Sequence, residues 1–210
     1  MSIICWIMGV TPAQIAALRA TPGLVQGLVA LAQGEQYDSR FDEAMKRASP
    51  EQRKRFEQLD ADLKKSQAAA RQQVAGLGAL EPAISLEKSW YTLHYLFTGH
   101  IGPGDAPGDL LMTGEDVGPD LGYGPARIQT EAATQDFRRF LDGQEVERLQ
   151  ARLDLNEMRQ MGVYAMPMGS GSDEQYTNEL RAEVAHFFAL LRDYVRKMAD
   201  QGDGLLIWWI

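Results

Sequence analysis

Three histidines, His94, His100 and His186, are the side chains of this sequence best suited to proton transfer near neutrality. None stands in a pattern that makes it a catalyst. The interval from His94 to His100 crosses the end of a predicted helix and matches no zinc-binding spacing. The single cysteine, Cys5, sits in an apolar run with no histidine near it in sequence. A nucleophile elbow, a Walker loop, an H-E-x-x-H helix and a C-x-x-C pair are all missing. No catalytic residue, metal ligand or cofactor is therefore assigned, and a non-enzyme is favoured over an enzyme.

Chemistry of another kind gathers between residues 99 and 129. No Lys or Arg occurs from Ser89 through Ala126, while Asp105, Asp109, Glu115, Asp116 and Asp120 all do, and eight of the 20 glycines fall between Gly99 and Gly124. The carboxylates lack the alternating spacing of a calcium loop. Gly122 to Arg127 has the glycines of a phosphate cradle, yet Pro125 removes a donor and the acids upstream repel an anion, so a sharp turn into a helix capped by Thr130 is the better reading. A loop this long is functional or disordered. The apolar anchors Leu110, Leu111, Met112, Leu121 and Tyr123 point to function.

Two uses follow. An ordered acidic surface suits a basic protein partner, and a toxin such as a nuclease, neutralised by an immunity protein, is the specific expectation. Asp105, Asp109, Glu115, Asp116 and Asp120 would meet it, joined by Tyr164, Met166 and Met168 on a second non-helical segment, residue types enriched at interfaces. Alternatively, if the loop folds back over the preceding helix, Trp90, His94, Tyr123 and Arg127 line a cleft for a small molecule, with Asp116 or Asp120 as acid or base. His94 on an apolar helix face is more often a core histidine bonded to a backbone carbonyl.

The elements that must position these groups are mostly legible. The run Ile3 to Ile7 and the run Leu205 to Ile210 read as buried strands of one sheet. Thr11-Pro12-Ala13-Gln14, Ser49-Pro50-Glu51-Gln52 and Ser172 to Gln175 read as helix caps. Leu180, Val184, Phe187, Phe188, Leu191, Val195 and Met198 then place one apolar face on a long C-terminal helix. A helix capped by Ser85 carries Leu86, Trp90, Leu93, His94 and Phe97 and ends at Gly99. From Glu51 to Arg71, basic and acidic residues alternate around Phe56, Leu59 and Leu63, which describes a solvated amphipathic helix rather than a nucleic-acid patch.

Composition sets the outer bounds. The chain has 210 residues, 45% hydrophobic and 24% charged, enough for one core without staples. Its net charge of -8 and pI of about 4.9 disfavour nucleic acid and anionic membranes as partners. One cysteine cannot form an internal disulfide, no run spans a bilayer, and the apolar N-terminus lacks the basic leader of a signal peptide, so a cytoplasmic location is expected. Oligomeric state is not written in these features.

Two runs, LEKSWYTLHYLFTG (Leu86 to Gly99) and GEDVGPDLGYGPARIQT (Gly114 to Thr130), followed by NEMRQMGVYAMP and a C-terminal helix and strand, resemble the YfbM-like family of bacterial proteins. The resemblance covers most of the chain and implies a single α+β domain over residues 1–210, a small sheet including both terminal strands packed with several amphipathic helices. It implies a bacterial origin and no chemistry. A polar helical insertion near 47–78 is longer than the family pattern leads one to expect.

Overall fold

The computed structural model describes residues 3–163 and 172–210, and for residues 35–44 and 47 the backbone alone. Both ends of the chain enter the middle of one antiparallel sheet. β1 (Cys5–Val10) pairs along its whole length with β5 (Gly204–Trp209), and Ile4 and Ile210 exchange backbone hydrogen bonds beyond it. With β2 (Ile84–Glu87), β3 (Glu115–Val117) and β4 (Ala126–Gln129) the sheet order is β2-β1-β5-β4-β3. The central strands are buried throughout because helices cover both faces.

Period-two alternation sends neighbouring residues to opposite layers. Trp6, Met8, Leu206, Trp208, Ala126 and Ile128 face one core, with α1 (Pro12–Ala20) and the first turns of α2 (Leu24–Arg47). Cys5, Ile7, Leu205, Ile207 and Trp209 face the other. That second core is closed by α4 (Ser89–Thr98), α5 (Glu131–Asp142), α6 (Val146–Ala151), α7 (Leu155–Met161) and α8 (Asp173–Gln201). Burial drives the Cys5 thiol pKa upward, which leaves it an inert core residue. Gly9 has a packing reason: a Cβ there would lie 1.8 Å from Met198 Sδ, so its absence lets α8 approach the sheet.

The caps are where the sequence places them. Thr11 and Ser49 each form a capping box with Gln14 and Gln52, Ser172 accepts from the Gln175 amide, and Thr130 from that of Ala133. α3 (Pro50–Val74) returns antiparallel along α2, with Gln67, Ala70 and Val74 buried and Leu59 exposed. Between residues 3 and 163, two expectations are corrected. Ser85 and Leu86 do not begin a helix: Ile84 to Glu87 pair with β1, because a free sheet edge lies within reach and Leu86 fills the core as a strand residue. Glu87 then turns the chain at φ 49°, and α4 starts at Ser89 without a side-chain cap. Nor is 99–129 one loop, since β3 and β4 form a hairpin within it. Among the described residues, no helix is long and apolar enough to cross a membrane.

Candidate functional site

A cavity of about 400 Å³ opens where α4, β4 and β5 meet. Trp90 and Tyr91 come from the first turn of α4, their rings 4.9 Å apart edge to face. Trp209, at the end of β5, lies 5.8 Å from Trp90. Its direction follows from the strand: Trp208 stacks on Trp6 in the opposite core, so its neighbour must face this one. On β4 the same alternation buries Ala126 and Ile128 and turns Arg127 toward the cavity, its guanidinium 5.0 Å from the centre of the Trp209 ring. Tyr123 and Met112 complete the rim from the connecting segments, with Ile3 and Gly162.

Hydrogen bonds fix two of the ring walls and the turn that carries a third, whereas the Trp209 indole nitrogen has no partner among the described residues. Trp90 Nε1 donates to the Ile3 carbonyl at 3.2 Å and the Tyr91 hydroxyl to that of Ile101 at 2.9 Å. Tyr123 rides a tight turn in which Asp120 Oδ1 accepts from the amides of Gly122 and Gly124, at 2.7 and 3.1 Å. Both glycines have positive φ, which a side chain there would strain. Arg127 Nε is 3.3 Å from Asp116 Oδ1 on the solvent side. The two terminal guanidinium nitrogens make no hydrogen bond to any described residue, so their donors are free for an acceptor in the cavity.

Trp90, Tyr123 and Arg127 are thus brought together as the cleft reading expects, and His94 is not among the residues that line this cavity. His94 is fully buried, and its Nε2 is 2.7 Å from the Gly102 carbonyl, which makes Nε2–H the donor. Burial lowers its pKa, and Nδ1 has no partner among the described residues. The reason is helix geometry: four residues on from Trp90, His94 stays on the same apolar stripe but one turn deeper.

The acidic residues do not form one free surface. Glu115 sits on β3 and is held by Arg19 through three contacts, two at 3.0 Å and one at 2.5 Å, hydrogen bonding that lowers its pKa. Asp116 faces Arg127, and Asp120 braces its turn. Asp109 is 5% exposed, and burial raises its pKa. Of the five, Asp105 alone is exposed with no partner among the described residues. Tyr164, Met166 and Met168 lie outside the described residues. No three His, Cys, Asp or Glu side chains among the described residues are grouped to hold a metal ion.

Tyr91, Met112 and Trp209 line the cavity but are not among the cleft residues expected from sequence. The Trp208-Trp209 pair carried a usable signal, because two adjacent strand residues face opposite sides and one of them must share a face with Arg127.

Comparison with known proteins agrees with this architecture. A solved structure described as a protein of unknown function, YfbM from Escherichia coli, superposes with a TM-score of 0.57 at 15% identity, covering 99% of each chain, a likeness of fold. No curated protein matches the chain. The family model described as "Domain of unknown function (DUF1877)" matches residues 1–208, and the chain belongs to that family.

Proposed function

We propose that this protein binds a small, flat aromatic molecule carrying a carboxylate, in the cavity between α4, β4 and β5. The observation that carries the reading is the Arg127 guanidinium over the Trp209 ring, facing a cavity walled by Trp90, Tyr91 and Tyr123, with its terminal donors unspent. Ring walls favour a flat apolar body through offset stacking. A guanidinium fork favours a carboxylate, which it can grip through two parallel hydrogen bonds. The volume of about 400 Å³ falls within the range of small-molecule sites. Among the described residues the lining includes no carboxylate, imidazole or thiol, which supports binding over catalysis.

The competing reading, a module that masks a basic toxin, needs unengaged carboxylates on one face. Two of its five are held by arginines and one is buried, so the surface has less charge to offer than the sequence suggests.

Calorimetry with 2-naphthoate and its uncharged counterpart 2-naphthamide tests the proposal. The expected result is a preference for naphthoate of about tenfold, or 1.4 kcal/mol, which Arg127→Met removes while leaving naphthamide binding unchanged. Equal binding of the two probes, or a preference that survives Arg127→Met, overturns it.

A further inference from the structure

A second cavity, of about 510 Å³, shares no lining residue with the first. It lies on the other side of segment 106–113, between that segment and α5. Its polar groups are unequal in their engagement. Arg139 and Asp136, both on α5, are paired with each other, so their charges cancel locally. Gln129 is buried, and its Nε2 donates to the carbonyls of Leu110 and Thr113, which pins the segment and leaves Oε1 as the remaining hydrogen-bonding atom of the carboxamide, an acceptor. Asp109 is different: it is 95% removed from solvent, lines the cavity, and no other described residue donates a hydrogen bond to its carboxylate.

A carboxylate this buried, whose one donor among the described residues is its own backbone amide, is unfavourable until solvent, an ion or a ligand completes its hydrogen bonds. The charge it presents is negative, and Arg139, the cation among the described lining residues, is already paired with Asp136. The remaining wall is apolar, with Phe140, Leu110, Pro107 and Ala133, apart from Thr113, whose hydroxyl donates to the Asp109 backbone carbonyl. An ammonium group supplies the missing donors and the opposite charge, and an attached hydrocarbon or ring fills the apolar wall, where the Phe140 face also attracts a cation. We infer that this cavity binds a small organic ammonium ion, with Asp109 as its counter-ion and Gln129 Oε1 as a second acceptor. The inference does not depend on the aromatic pocket, whose charged group has the opposite sign.

Calorimetry at pH 7.5 with benzylammonium and benzyl alcohol, which share shape and differ in charge, reads the preference. Wild type is expected to bind benzylammonium at least tenfold more tightly than the alcohol, and Asp109→Asn to abolish that difference. In wild type, benzylammonium is also expected to shift the Asp109 carboxyl carbon and the Gln129 side-chain amide in NMR spectra, a readout that requires no variant to fold. Equal affinity for the two probes, no binding of benzylammonium, a preference retained in Asp109→Asn, or shifts confined to Trp90 and Trp209 would each overturn the assignment.

Discussion

The two cavities flank one segment, yet they treat their charged residue in opposite ways. Arg127 is half-buried, with Asp116 on its solvent side and the Trp209 ring beneath it, so the fold already tolerates its charge. Asp109 is buried without an answering donor from another residue, and its ionisation opposes folding. A charge the fold accommodates can be removed at little cost in stability, and only binding reports its role. A charge the fold does not accommodate should show itself in stability before any ligand is known.

The largest effect expected is on the aromatic side. Trp209→Ala removes a core ring as well as a pocket wall, and should lower stability by about 3–5 kcal/mol in denaturant unfolding, with loss of 2-naphthoate binding. Retention of that binding in a folded Trp209→Ala variant would detach the site from the sheet.

The second cavity should respond to pH. The Asp109 pKa is raised in the folded state, so its contribution to stability is present below the unfolded value of about 3.9 and is lost as pH rises through the folded value. The groups that bear on it are His94 from α4, Asp105 from its own segment, and Asp136 and Arg139 from α5. Asp109→Asn is therefore expected to raise the melting temperature at pH 7 relative to wild type, and to lose that advantage near pH 4. A variant less stable than wild type at pH 7 would mean that the fold does satisfy the carboxylate.

His94, behind Asp109, has the opposite sign. Its folded pKa is lowered by burial, so its stabilising contribution is present above the unfolded value of about 6.5 and is lost as pH falls through the folded value. Wild type should lose up to about 1.4 kcal/mol per pH unit as pH falls from the unfolded value toward the folded one, and His94→Gln should show a flatter profile. Identical profiles would place the imidazole in contact with water. The smallest effect sharpens the Arg127 side: Asp116→Asn frees the guanidinium from an exposed partner, and 2-naphthoate affinity should rise by no more than about fivefold, the limit of a surface ion pair near 1 kcal/mol.

What the sequence revealed of this architecture follows from the range of the forces involved. Caps at Thr11, Ser49, Thr130 and Ser172 are local, made by residues three apart, and the terminal strands announce themselves by apolar runs long enough to be buried on both faces. Ser85 and Leu86 were misleading because β2 has only four residues, and its pairing with β1 depends on a partner nearly eighty positions away. The five carboxylates looked alike in sequence because charge is visible there and burial is not. Arg19, which neutralises Glu115, lies on α1, 96 residues distant. Trp90, Tyr123 and Arg127 could be named as one cleft from residue type alone, whereas Trp209 needed the sheet order that sets β5 beside β4.

Tryptophan indole N–H signals give the most direct test of the aromatic site, because the four tryptophans divide between the two cores: Trp90 and Trp209 line the cavity, and Trp6 and Trp208 stack on the far face of the sheet. Titration with 2-naphthoate should move the Trp90 and Trp209 signals together along one binding curve and leave those of Trp6 and Trp208 in place. Uniform movement of all four, or movement of none, would contradict the assignment.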